Sequence, residues 1–315
     1  MMYKTLGNTG LRVSEICFGT LPMGPLQYNI PFDEGVELIQ AAAAAGINYF
    51  DAAQNYRTYR YLREALKDCS SEVIISTKSK AFTFSHMDNA VHEALRELDR
   101  DYIDIFFIHG DKAGKNVFNE RRGAWENLIQ HKKKGTIRYI GLSTHSVEAV
   151  REAVSTKEVD VIFPLINMSG LGIIDGDRTA MIDLIEKAAF EGKGTIAMKI
   201  FGGGHLLKDR EKAFDFIKNQ TSIDCIAVGM VNKKELEYNL ALFAGEKIPE
   251  KLKAETLRSK KLVVTSLCIG CGSCARVCPT GAMTIKEDKA EVETTKCLLC
   301  GYCVSSCKQI AIRVI

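Results

Sequence analysis

From residue 16 onward, short apolar or β-branched runs alternate with longer amphipathic stretches, and the alternation occurs eight times. The strand-like runs are ICFGT (16–20), INYFDA (47–52), EVIISTK (72–78), IDIFFIH (103–109), TIRYIGLS (136–143), VDVIFPLIN (159–167), GTIAMK (194–199) and IDCIAVG (223–229). Helix-like stretches lie between them, such as FDEGVELIQAAAAAG (32–46), DNAVHEALRELDR (88–100), RRGAWENLIQHKKKG (121–135) and VNKKELEYNLALFAG (231–245). Several end at glycine, the residue that most readily takes the left-handed turn closing a helix. Eight such units predict an α/β chain folded as a (β/α)8 barrel, and the opening KTLGNTGLRV (4–13) reads as a hairpin that plugs one end. A doubly wound sheet shows the same alternation, but eight repeats with polar groups at several strand ends favour the barrel.

The 315 residues accommodate a barrel of about 250 residues and a small appendage. We divide the chain into a barrel at 1–250, a connector at 251–262 that overlaps the polar stretch EKIPEKLKAETLRSKK (246–261), and a tail module at 263–315. The tail has α+β character. No apolar stretch approaches the roughly 20 residues that cross a bilayer. The opening MMYKTLGNTGLRV lacks the layout of a secretory signal, so the expectation is a cytoplasmic protein without membrane contact. Net charge is +3, with Lys and Arg concentrated after residue 250; bound anionic groups would offset that excess, and no nucleic-acid partner is expected.

The tail carries a cysteine pattern twice. CIGCGSCARVCP opens at Cys268 and CLLCGYCVSSCK at Cys297, so that Cys268, Cys271, Cys274 and Cys278 recur 29 residues later as Cys297, Cys300, Cys303 and Cys307. Zinc and disulfides also use cysteines. Structural zinc favours two ligand pairs separated by a longer finger, whereas three thiolates at short gaps suit a cubane. The segment resembles bacterial two-cluster ferredoxins over about its last fifty residues. That resemblance implies two [4Fe–4S] clusters, one held by Cys268, Cys271, Cys274 and Cys307 and the other by Cys297, Cys300, Cys303 and Cys278. Lys308 stands where the family has proline, which alters a turn and leaves the ligand set intact. Cys17, Cys69 and Cys225 read as structural thiols.

Barrel active sites form where strands end and the following loops begin. Asp51, Lys78 and His109 each end an apolar run, and Tyr56 lies in the loop after Asp51. Singly, each has a plainer reading: a helix cap for Asp51, a strand terminator for Lys78, a hydrogen-bonded core histidine for His109, and Tyr59 or Tyr61 in competition with Tyr56. His86, His92 and His131 sit in polar stretches and are expected to be solvated. FGTLPMG (18–24), FDAAQNY (50–56), STK (76–78), DIFFIH (104–109) and IGLS (140–143) together resemble the successive landmarks of the aldo-keto reductases. The resemblance spans the barrel.

It implies a catalytic tetrad of Asp51, Tyr56, Lys78 and His109, with NADP or NAD across the barrel mouth. Gly19, Thr20, Asp51, Ser143, Thr144, Met198, Gly202, Gly203, Gly229, Asn232 and Asn239 are the implied cofactor contacts. An ammonium lowers the pKa of a nearby phenol, so Lys78 is expected to acidify Tyr56 while Asp51 keeps Lys78 ionised. His109 orients a small-molecule carbonyl substrate and Tyr56 protonates its oxygen. Phe163 replaces the family's glutamine near the carboxamide, Met198 a frequent stacking aromatic, and Gly229 and Glu235 the usual basic pair. Lys233 and Lys234 are alternative basic residues. The clusters suggest an external redox partner. The alternatives are an electron-transfer or regulatory subunit with a catalytically weak barrel, and a flavin-dependent reductase.

Overall fold

A computed structural model describes residues 1–69, 72–257, 261–309 and 311–314 of the chain. Eight parallel strands close into a barrel: β1 (Ile16–Gly19), β2 (Tyr49–Asp51), β3 (Ile74–Ser79), β4 (Ile103–Gly110), β5 (Ile137–Thr144), β6 (Val161–Pro164), β7 (Gly194–Met198) and β8 (Cys225–Gly229). Each pairs with its neighbour in chain order, and β8 returns to β1 through Val228 opposite Phe18. The doubly wound alternative is thereby excluded.

The alternation of side chains along each strand sorts the core into two layers. One face, including Phe18, Phe50, Ile75, Phe106 and Ile140, packs against the surrounding helices. The other fills the barrel with Cys17, Tyr49, Ile105, Phe107, Val161, Ile196 and Cys225. Cys17 and Cys225 are therefore packing residues, as expected.

The amino-terminal segment pairs Tyr3–Thr5 with Arg12–Ser14 in an antiparallel hairpin. Its Leu6, Leu11 and Val13 are fully or almost fully buried in the interior cluster, which is how the plug expected from the sequence seals the barrel. Gly7 has φ +48° and approaches the Lys193–Gly194 backbone so closely that a Cβ would lie 2.3 Å from Gly194 N. Only glycine meets both conditions.

Side-chain caps start several of the outer helices: Thr83 for Phe84–Leu98, Ser146 for Val147–Ser155, Asp177 for Arg178–Phe190, and Asn232 for Lys233–Ala244. The Phe84–Leu98 helix begins four residues before the stretch its apolar period marked, because the Thr83 cap sets its start. His131 departs from expectation. It is buried, with Nε2 2.9 Å from Asp88 and Nδ1 2.8 Å from Thr136, whereas His86 and His92 are exposed.

Within the connector, Glu250–Thr256 is helical and packs on the barrel through Leu252, the Lys234–Glu255 ion pair at 2.9 Å and a bond from Arg210 to the Lys253 carbonyl. Arg258, Ser259 and Lys260 lie outside the described residues. The tail pairs Leu262–Val264 with Ile312–Val314 and Met283–Lys286 with Lys289–Val292. Two five-residue helices, Ser273–Val277 and Tyr302–Ser306, each follow a left-handed glycine, Gly272 or Gly301, so the duplicated sequence gives a duplicated structure. No helix among the described residues is long and apolar enough to cross a membrane.

Candidate active site

Parallel strands bring their carboxyl ends to one rim, and register does the rest: Asp51 lies opposite both Gly19 and Ser76, and His109 opposite Ser143. The Lys78 ammonium donates to Asp51 Oδ1 at 2.7 Å, to Oδ2 at 2.5 Å and to the Ala52 carbonyl at 2.9 Å, while Ser76 Oγ donates to Asp51 Oδ1 at 2.7 Å. Both members of this pair are buried. A fully satisfied buried pair is tolerated, whereas removing one partner strands the other charge at a cost of about 3–5 kcal/mol. Burial pushes the Asp51 carboxyl up, and Lys78 and Ser76 draw it part of the way back.

Tyr56 is buried beside this pair, with Lys78 Nζ 5.1 Å from its ring centroid and the His109 ring edge-on at 6.1 Å. The four tetrad side chains thus share one rim. Tyr59 bonds Thr77, and Tyr61 donates to the Ile30 carbonyl, which takes both competing tyrosines out of the mouth. The electrostatics differ from expectation in one respect. Burial first, and the Asp51 charge second, hold the Tyr56 phenol well above its ordinary value, because Lys78 faces Asp51 at contact distance and its charge is already matched. His109 is kept neutral by burial and by the ammonium groups of Lys80 and Lys78.

A cavity of about 210 Å³ runs from Asp51, Tyr56 and Lys78, past Phe163 and Met198, to Arg210, Glu235 and Asn239. Gly19, Gly203 and Gly229 also line it. Thr20, Thr144 and Asn232 use their side chains locally: Thr20 bonds the Asp51 carbonyl and Thr58, Thr144 donates to the Gly110 carbonyl, and Asn232 caps its helix. Ser143 is buried, and Gly202 begins the turn after β7. Lys233 and Lys234 pair with Glu37 and Glu255. The glycine rim and mixed polar lining suit a dinucleotide.

The tail covers this mouth. His205 Nε2 sits 2.6 Å from the Cys297 carbonyl, Lys112 donates to the Arg276 carbonyl, and Leu298, Leu299 and Cys300 line the same cavity as Tyr56. Gly203, one of the implied cofactor contacts, has φ +70° and lies against the Leu298 backbone, where a Cβ would be 2.1 Å from the carbonyl oxygen. That glycine makes room for the cysteine loop.

The tail cysteines sort into two groups. Cys268, Cys271, Cys274 and Cys307 surround one small cavity. Cys303 interacts electrostatically with Cys300, Cys297 and Cys278 and also with Cys274 of the first group, and these help push its thiol up behind the larger effect of burial. Backbone amides of Ala290 and Ala311 donate to Cys268 and Cys307 Sγ at 3.3 Å, the kind of bond that stabilises cluster thiolates. Both of these amides serve the group of Cys268, Cys271, Cys274 and Cys307.

Several site residues escape sequence reasoning. Lys199 is half-buried in the left-handed conformation (φ +57°), bonds His145 Nε2 at 2.8 Å and lies near Cys300, which helps sustain its charge against desolvation. Its signal was the ionisable end of GTIAMK. Lys80 pairs with Asp111 at 2.9 Å. Tyr302 reaches from the tail to His109, and its signal was an aromatic in CGYC where the first repeat has CGSC.

The fold and site agree with comparisons to known proteins. An aldo/keto reductase family model matches residues 15–257, and a 4Fe-4S dicluster domain matches residues 260–308. L-galactose dehydrogenase of Arabidopsis thaliana is 27% identical over 279 residues, covering 76% of this chain and 86% of that protein. A rice protein named as a voltage-gated potassium channel β subunit is 31% identical over 182 residues, 53% of this chain and 54% of its own; the match spans about half of that relative. Among solved structures, an aldo-keto reductase of Pseudomonas aeruginosa superposes with TM-score 0.67 at 26% identity, covering 78% of this chain and 94% of that one. The chain belongs to the aldo/keto reductase family and is an oxidoreductase whose barrel is followed by a 4Fe-4S dicluster domain.

Proposed function

We propose that the barrel interconverts a small carbonyl compound and its alcohol with NAD(P)H, and that two tail clusters link this chemistry to an external redox partner. The observation carrying the proposal is that one cavity is lined at once by Tyr56, Asp51 and Lys78 and by the cluster-loop residue Cys300. When bound, a reduced nicotinamide supplies the hydride that, with one proton, turns C=O into CH–OH. Two [4Fe–4S] clusters, when bound, supply storage for two single electrons.

Within that reading, Tyr56 supplies the proton, since burial keeps its phenol protonated through the neutral range. Neutral His109 bonds the substrate oxygen and fixes its direction. Lys78 and Asp51 form a rigid charged floor beneath the phenol. Cys268, Cys271, Cys274 and Cys307 would hold one cluster and Cys297, Cys300, Cys303 and Cys278 the other. Cys271 is exposed and Cys300 is buried at the barrel, which supports a relay whose outer end is the first cluster. The barrel at 1–250, connector at 251–262 and tail at 263–315 remain our division of the chain, with Leu252 already packed on the barrel.

A second reading, an electron carrier with a weakly catalytic barrel, is favoured by the apolar Phe163 and Met198 along the nicotinamide end of the cavity. One experiment separates the two. In anaerobically purified protein, Tyr56→Phe is expected to lower carbonyl reduction by at least about 100-fold while cluster absorption and iron content stay unchanged. Equal turnover by the variant and the parent would defeat the proposal.

A further inference from the structure

Of the two groups proposed to hold the substrate oxygen, His109 already holds another oxygen, and Tyr56 stands beside it. Tyr302 Oη lies 3.0 Å from His109 Nε2, and its phenol interacts electrostatically with that of Tyr56. Its ring meets His109 edge-on at 5.9 Å, and Lys80 Nζ stands 4.1 Å from the ring centroid. Tyr302 is buried, only 5% exposed. Gly301 fixes the approach: its φ is +78°, and a Cβ there would lie 1.9 Å from the Leu26 carbonyl oxygen. The tail thus threads a phenol into the mouth through a passage that admits no side chain at the preceding residue.

Cluster binding does not call for an aromatic at this position. The matching residue of the first repeat is Ser273, whose hydroxyl stays within its own loop, bonded by Arg276. Two oxygens cannot occupy one hydrogen-bonding position, so a carbonyl on Tyr56 and His109 and the Tyr302 hydroxyl exclude each other.

We propose that Tyr302 is an internal competitor for the substrate-oxygen position and sets which carbonyl compounds the barrel accepts: only those able to displace the phenol while fitting beneath the Leu298–Cys300 loop. This rests on the reductase reading of the tetrad. A protein whose binding-competent state is a fraction of the whole shows its affinity reduced by that fraction, so removing the competitor acts on KM and leaves kcat in place.

The test uses the full chain with its clusters, assayed anaerobically with NADH and with NADPH, using propanal and benzaldehyde as probes. Tyr302→Ala is expected to raise kcat/KM about tenfold for propanal and more for benzaldehyde, through KM. Tyr302→Phe removes only the hydroxyl and keeps the ring packing; a rise of about threefold is expected, and this variant decides the matter if Tyr302→Ala loses iron. Unchanged or lowered kcat/KM in Tyr302→Phe, with Tyr56→Phe still abolishing turnover, overturns the competition and leaves the reductase reading standing. Turnover insensitive to Tyr56→Phe in both the parent and the Tyr302→Phe background overturns the reductase reading and the competition with it.

Discussion

Tyr56 shows how burial and pairing compete at a single side chain. A nearby ammonium acidifies a phenol only if its field is not already cancelled, and in this site Asp51 meets Lys78 through both carboxylate oxygens. Burial therefore dominates, and the phenol is held above its ordinary value near 10. The donor is the protonated form, which persists below the folded-state pKa and disappears only above it. The rate of carbonyl reduction should accordingly show no loss attributable to Tyr56 between pH 7 and about 10. A kcat profile falling with an apparent pKa near 8, absent from a Lys78→Met control with residual turnover, would mean that Lys78 acidifies the phenol after all. His109 adds no charge change in that window, because its neutral form is favoured already.

Among the elements, the amino-terminal hairpin has the clearest separable role. Its sequence is short and its strands have only three residues each, too little to be stable alone in water. Leu6, Leu11 and Val13 make it stable by filling the barrel floor with Tyr49, Ile105 and Val161. Leu11→Ala removes a side chain that is 1% exposed, so a loss of about 2–5 kcal/mol is expected. Reversible urea titration of the holoprotein would report it as a lowered midpoint with an unchanged slope. A shift below about 0.5 kcal/mol would show the plug to be dispensable. The effect belongs to the floor, since the tetrad lies at the opposite rim of the same strands.

At the scale of the molecule, the tail is docked as a cover on the mouth. Its contacts come from backbone as much as from side chains: the Cys297 carbonyl on His205, the Leu298 carbonyl against Gly203, and Gly301 against Leu26. Backbone approach of this kind tolerates no added carbon, so Gly203→Ala should push the cysteine loop off the barrel. Hydrogen exchange in residues 297–303 should speed up while barrel-strand protection and iron content stay at parental levels. Unchanged exchange there would show that the tail is held elsewhere.

How much of this was legible in the chain follows from the range of the forces involved. Strand and helix alternation, glycine stops, the hairpin and the repeated cysteine spacing are local, so they can be read along the sequence; eight repeats allow one closed arrangement in which every strand finds two partners. Asp51, Lys78 and His109 were legible for the same reason, as ionisable ends of apolar runs. Tyr302, Lys199 and the true setting of His131 were not, because each acquires its surroundings from residues distant in sequence: His109 for Tyr302, His145 for Lys199, Asp88 for His131. The residues by themselves determined a barrel, a candidate tetrad and two sets of four thiols. Only the tertiary structure decided that the second set lies over the tetrad and inserts a phenol into it, since docking depends on shape and close backbone contact between surfaces that no local pattern encodes.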